Sequence, residues 1–269
     1  MCSNNILFII VLILLIIIDQ LFITKEGFFN SKSNNVFNNF DKILYINLEH
    51  RTDRKDQILK ELKKMNIPTN KIHRIDAVHE KYNGHIGCAK SHIKSLEYAK
   101  SQKYESVIIL EDDFVFTQDK ELVNKRISDF LKNFKGKWDV IQLTTVFKRI
   151  DDIKNVEDIK KVKSATTSSA YIIKAHFYDK LINTLNESVK NMEEEMTEFN
   201  KKNNNILKKK NETRYALDQY WNPLQKKSEW YLFYPYLGKQ GGSAGRSSIM
   251  SKKLEGFYSN SIRLYNLNI

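Results

Sequence analysis

Residues 106–113 read Ser-Val-Ile-Ile-Leu-Glu-Asp-Asp. Val107–Leu110 is a short apolar run rich in β-branched side chains, the pattern of a strand buried on both faces. Such strands belong to parallel sheets covered by helices, and these sheets hold ligands at the carboxyl ends of their strands. Glu111, Asp112 and Asp113 stand at that end. Three adjacent carboxylates repel one another, and a bound divalent cation relieves the repulsion. Oxygen ligands suit Mn²⁺ or Mg²⁺. The same triplet also reads as a solvated acidic turn capping the next helix.

Outward from this run, strands and helices alternate. Ile43–Leu48 reads as a buried strand and Asp53–Met65 as a helix with Ile58, Leu62 and Met65 on one face. Cys88–Lys100 is a second amphipathic helix, and Lys120–Phe134 a third. Trp138–Leu143 and Ser169–Ile173 read as further strands, and His176–Val189 as another helix. This order predicts an α/β fold, a mostly parallel sheet flanked by helices. Residues Asn191–Thr213, with acidic and basic blocks in succession, read as an exposed helix or an insertion.

Three further segments carry chemistry. Asn47 ends the first strand, and Arg51 and Arg54 are three residues apart at the start of the following helix. There they can meet an anion, or they are solvated arginines beside Asp53 and Asp56. In Gly84-His85-Ile86-Gly87-Cys88-Ala89-Lys90-Ser91-His92 two glycines permit a sharp turn before a helix. A Cys88–His92 nucleophile pair lacks a third orienting group, so packing and hydrogen bonding account better for both. Asp218 is a lone acid beside Tyr215, Tyr220 and Trp221. Apolar surroundings raise a carboxyl pKa towards that of a general base. A structural Asp that caps or pairs is the other reading. Gly238, Gly241, Gly242 and Gly245, with Lys239 and Arg246 among them, read either as a flexible basic loop able to close over a diphosphate or as a surface turn.

The first segment is of another kind. Ile6–Ile18 is unbroken apolar sequence, extended by Leu21–Ile23 past Asp19 and Gln20. A span needs about 20 apolar residues. A cleaved signal peptide would want a basic start and a small-residue cleavage site, and neither is present. Residues 1–24 therefore read as a single-pass membrane anchor and 25–40 as a polar tether, leaving 41–269 as the main domain. Lys25 and Lys32 follow the run and no Lys or Arg precedes it. On the positive-inside rule that favours a cytoplasmic domain, but two charges do not fix the side.

Across 269 residues the net charge is +12, and there are two cysteines, Cys2 and Cys88. That count excludes a disulfide framework and a thiolate zinc cluster. The positive balance favours anionic partners, among them phosphorylated small molecules. No zinc finger, RNP motif or basic stripe interleaved with aromatics points to nucleic acid.

Taken in order, YINLEHRTDR, GCAKSHIKSLEYA, ILEDDFVF, SSAYIIKAHFYDKLI, ALDQYW and PYLGKQGGSAGRSSI resemble glycosyltransferase family 25, over about Lys42–Ile249. The family comprises lipooligosaccharide-biosynthesis and procollagen galactosyltransferase-like enzymes. The resemblance implies a Rossmann-like GT-A fold, a UDP-hexose donor (galactose or glucose), a divalent metal, usually Mn²⁺, and inversion at the sugar. The acceptor would be a hydroxyl of a glycan, a lipid-linked saccharide or a protein. By position it implies Asn47, Arg51, Arg54, Ser91, His92 and Gln240 at the nucleotide-sugar, and Glu111, Asp112 and Asp113 at the metal. Asp218 would be the catalytic base. One departure is Ser247-Ser248-Ile249, where the family often has Ser-Asp-Ile. That change keeps open a sugar- or anion-binding module without turnover.

Overall fold

The computed structural model describes residues 35–203 and 213–241. The expected membrane anchor, the tether through Asn34 and the Ser247–Ile249 departure lie outside them. Among the described residues no helix is long and apolar enough to cross a membrane.

Three strands form the frame: β1 (Lys42–Asn47), β2 (Ile72–Asp76) and β3 (Ser106–Glu111). They run parallel in the order β2-β1-β3. The crossovers are α1 (Thr52–Lys64) and α2 (Gly84–Ser101). Strand alternation sends Ile43 and Tyr45 to one face, where they pack with Ile58 and Leu62 of α1. Leu44 and Ile46 go to the other face, against Ile86, Ala89, Ile93 and Leu96 of α2. Because the chain leaves β1 for β2 and then crosses to β3, the carboxyl ends of β1 and β3 flank a switch point, where such sheets open a crevice.

The rest of the molecule extends this frame. After β4 (Phe114–Phe116) come α3 (Lys120–Asn133), β5 (Val140–Gln142), β6 (Val146–Ile153), β7 (Val156–Thr166) and β8 (Ala170–Lys174). α4 (Tyr178–Lys202), α5 (Leu217–Tyr220), α6 (Asn222–Lys226), β9 (Trp230–Phe233) and β10 (Gly238–Gln240) follow. The 8-stranded sheet has the order β2-β1-β3-β8-β5-β9-β7-β6. β7 and β8 run against the other strands, so the sheet is mixed and mostly of one direction. Hydrophobic periodicity predicts strands but carries no direction.

Two details depart from expectation. α2 begins at Gly84, so both glycines are helical. A Cβ at Gly87 would stand 2.5 Å from the carbonyl oxygen of Val78, so glycine permits a close approach there rather than a turn. α4 runs on to Lys202, so residues 191–202 are helical with a largely exposed face, and only Met192 and Met196 turn inward and are buried.

Candidate active site

The pocket lies where the switch point puts it. Asn47 at the end of β1 and Glu111, Asp112 and Asp113 at the end of β3 line it. So do Arg54, Ser91, His92, Asp218 and Gln240. The predicted site residues thus come together from five separate segments, with one exception, Arg51.

One wall is built on Arg54, which the first turn of α1 carries inward. Its Nη1 donates to Asp112 Oδ1 at 3.1 Å and Asp113 Oδ2 at 3.3 Å. Asn47 donates from Nδ2 to Asp112 Oδ2 at 2.8 Å and accepts from Arg74 Nε at 3.2 Å. Both oxygens of Asp112 are therefore engaged. Burial still pushes its carboxyl above the ordinary range, against Asn47 and Arg54. Asp113 rises further, to about 7, through burial and the neighbouring charge of Glu111, opposed by Arg54. Its Oδ1 is buried with no hydrogen-bond partner, while Gln240 Nε2 stands 3.5 Å from Oδ2. The β4–β10 pairing and the bond from Gly241 N to Asp113 O at 3.1 Å bring Gln240 there. Arg51 precedes α1 and pairs with Asp53 at 2.7 Å instead of lining the pocket.

The other wall is built on α2, α5 and the turn between β7 and β8. Glu111 Oε1 accepts from Ser168 Oγ at 2.6 Å and faces His92 Nε2 at 3.3 Å. Burial alone would push Glu111 up, but His92, Ser168 and Arg54 together hold it below its ordinary value. His92 is fully buried, and its Nδ1 meets the Tyr171 hydroxyl at 2.9 Å. Ser91 Oγ donates to Gly87 O and accepts from Val78 N, tying the loop after β2 to α2. Burial and the charges of Glu111, Asp218 and Asp113 push the Cys88 thiol well up, which keeps it protonated and argues against a thiolate nucleophile.

Asp218 Oδ2 accepts from Thr167 N at 2.9 Å. Burial raises its carboxyl above the ordinary range, with Thr167 opposing. Thr167 holds φ 76°, a left-handed conformation rare for a β-branched residue. Tyr220 and Trp221, beside Asp218 in sequence, do not line the pocket. Trp221 is fully buried in the core and donates from Nε1 to Ala165 O at 3.0 Å. The Tyr220 hydroxyl is held by Asn191 at 3.1 Å.

An oxygen-seeking divalent cation fits the Asp112–Asp113 pair, because Asp113 Oδ1 is a buried acceptor that no protein donor reaches. Glu111 is turned away towards His92 and Ser168. Sequence reasoning passed over Thr167, Ser168 and Tyr171, which act through the backbone turn and through His92 and Glu111. The Ser168-Ser169-Ala170-Tyr171 stretch reads as a strand start and carries part of the family resemblance, but no chemistry was assigned to it.

The family model described as glycosyltransferase family 25 (LPS biosynthesis protein) matches residues 40–214, most of the chain. No curated protein matches. Among solved structures, UDP-glucose pyrophosphorylase complexed with UDP-glucose is 11% identical, covering 84% of this chain and 81% of its own, with a TM-score of 0.41. A197 from STIV is 14% identical, covering 74% and 83%, with a TM-score of 0.39. Mannose-1-phosphate geranyltransferase from Thermus thermophilus is 7% identical, covering 71% and 72%, with a TM-score of 0.37. Likeness at these scores carries no functional implication.

Proposed function

The chain belongs to glycosyltransferase family 25, and on that premise we propose that it transfers a hexose, galactose or glucose, from a UDP-sugar to a hydroxyl of a glycan, lipid-linked saccharide or protein. The observation that carries the finer reading is the unpartnered Oδ1 of Asp113, held beside Arg54 and Asp112 at the carboxyl ends of β1 and β3. Asp112 and Asp113 would hold a divalent metal, Mn²⁺ or Mg²⁺. When bound, it supplies charge neutralisation at the donor's diphosphate. Arg54 holds the two carboxylates side by side, and Asn47 fixes Asp112. Gln240 reaches the same edge on β10.

Asp218 acts as the base. Thr167 fixes one of its oxygens, and the carboxylate lines the pocket that the acceptor hydroxyl would enter. The hydroxyl oxygen attacks the anomeric carbon from the face opposite the leaving group and its proton passes to Asp218. The bond between that carbon and the diphosphate oxygen breaks, UDP leaves with the electron pair, and the product is inverted. Burial raises Asp218 and so strengthens it as an acceptor of that proton. Ile6–Ile23 anchors the enzyme to a membrane.

The test is transfer from UDP-galactose and UDP-glucose to a panel of glycan and hydroxylated-peptide acceptors, with Mn²⁺ and with EDTA. Metal-dependent transfer that is lost in Asp113→Asn supports the reading. Transfer undiminished in EDTA overturns the metal assignment.

A further inference from the structure

Cys88 and His92 are i and i+4 on α2, so both project from one helix face. That face meets the end of β3, where Glu111 stands. The ligand atoms of Cys88, His92 and Glu111 all lie within 4.8 Å of one another. Among the described residues no other set of three such side chains converges in this way. The oxygen-rich pair Asp112–Asp113 is a separate feature, facing Arg54.

We propose that Cys88, His92 and Glu111 form a second cation site, selective for thiophilic Zn²⁺. Zinc is held by sulfur, imidazole nitrogen and carboxylate oxygen in tetrahedral sites, which suits this donor set. The separation of 3.3 Å between His92 Nε2 and Glu111 Oε1 equals the edge of a tetrahedron with ligand bonds of about 2.0–2.1 Å. A sulfur completing that geometry stands about 3.6 Å from each, given a zinc–sulfur bond of about 2.3 Å. Cys88 reaches it by a side-chain adjustment within the 4.8 Å cluster.

The surroundings are those of a metal ligand set. The Tyr171 hydroxyl at 2.9 Å from His92 Nδ1 can accept that nitrogen's proton, which leaves Nε2 free to bind. Ser168 orients Glu111 at 2.6 Å. All three side chains line the pocket, from which water could supply a fourth ligand. Binding replaces the thiol proton by the metal, so one proton leaves to solvent for each ion bound and no redox change occurs. Because Glu111 lines the pocket, zinc here would change the charge of the second wall without using Asp113. The inference does not depend on the sugar-transfer reading.

The test uses the full chain carrying Cys2→Ser, so that Cys88 is its single thiol, titrated with Co²⁺ as a spectroscopic stand-in for Zn²⁺. The expected result is a near-ultraviolet sulfur-to-cobalt charge-transfer band, abolished by equimolar Zn²⁺ and absent in Cys88→Ser. Asp113→Asn keeps the band, and Tyr171→Phe weakens Zn²⁺ binding by about tenfold. No band in the Cys2→Ser chain, or a band that survives Cys88→Ser, overturns the proposal. A band lost in Asp113→Asn places the ion at the carboxylate pair and overturns it as well. Should Cys88→Ser fail to fold, alkylation of Cys88 in the Cys2→Ser chain decides. Zn²⁺ must slow it, and an unchanged rate overturns the site.

Discussion

Asp113 and Asp218 line the same pocket from two walls, and burial pushes both carboxyls above their ordinary range. What separates them is their neighbours. Both lie in the field of Glu111, but Asp113 also shares Arg54 with Asp112 and keeps one buried oxygen unsatisfied. Asp218 gives one oxygen to the backbone N–H of Thr167. A carboxylate crowded by other carboxylates is stabilised by a cation. A carboxylate fixed by neutral backbone donors can take up a proton. Burial shifts both groups alike, and the partners decide which chemistry each is suited to.

The sharpest way to break this contrast is Asp113→Asn. With the metal ligand gone, several kcal/mol of charge stabilisation go with it, and transfer should fall below detection. The apo protein should respond in the opposite sense. Asp113 titrates at about 7 in the fold against an ordinary 3.8. The fold therefore holds a proton there that the unfolded chain releases. That contribution is complete below the unfolded value and is lost as pH rises through about 7. A tenfold change in proton affinity between fold and unfolded chain corresponds to about 1.4 kcal/mol. The variant should melt higher than wild type at pH 8 without metal and show little difference at pH 4. Parallel pH dependences of melting in the two proteins would refute the account of Asp113.

Asp218→Asn probes the other wall. The amide keeps its size and can still accept from Thr167, so donor KM should hold while kcat falls about 10²–10⁴-fold. Transfer within about threefold of wild type, below that range, together with a lowered melting temperature would reduce Asp218 to a prop for the Thr167 turn.

Arg54→Lys is gentler. Lysine keeps the charge but not the planar fork, so it cannot hold Asp112 and Asp113 in one arrangement. A hydrogen bond to a charged group contributes about 1.5–3 kcal/mol. Donor KM should rise by about tenfold or somewhat more, read from initial rates at saturating acceptor. An unchanged donor KM would show that the pair needs no common cation to stay in place.

The two walls were unequally legible in the sequence. The first is made of local signals, a β-branched run that ends in carboxylates and a strand end followed by arginines. It appears nearly as read. Arg51 stands off the pocket lining because spacing by three implies a shared helix face only inside the helix, and Arg51 precedes it. The second wall depends on a turn whose residues, Thr167 and Ser168, carry no pattern of their own, and on Tyr171, whose hydroxyl finds His92 only after β8 inserts beside β3. Trp221 misled because a helix of 4 residues has no periodicity to show which side is core. The β6–β7 hairpin was also missed. The apolar residues of β6 and β7 recur at irregular or three-residue spacing, and cross-strand charge such as Lys160–Asp152 at 2.7 Å replaces the alternation that marks a half-buried strand.

The smallest expected effect is the most specific to the second wall. Thr167 is buried and holds φ 76°, where a β-branched side chain crowds its own backbone. Such strain costs about 1–3 kcal/mol, and it persists only where surrounding contacts over-determine the turn. Those contacts are visible: Asp218 holds the amide of Thr167, Gln142 Nε2 donates to its carbonyl at 3.2 Å, and Ser168 is fixed on Glu111. Glycine adopts this conformation freely but adds about 0.5–1 kcal/mol of unfolded-state entropy to be lost on folding. The balance favours Thr167→Gly by about 1 kcal/mol, which at this chain length is roughly 2–4 °C in melting temperature. Transfer should fall modestly, because a looser turn holds Asp218 and Glu111 less firmly. The double variant Thr167→Gly with Asp218→Asn then reads the coupling directly. If the turn is strained in order to orient Asp218, the activity loss from glycine should vanish once the carboxylate is gone. Additive losses in that double variant, or a melting temperature lowered by glycine alone, would show that Thr167 fits its turn without strain and that Asp218 is positioned by α5 alone.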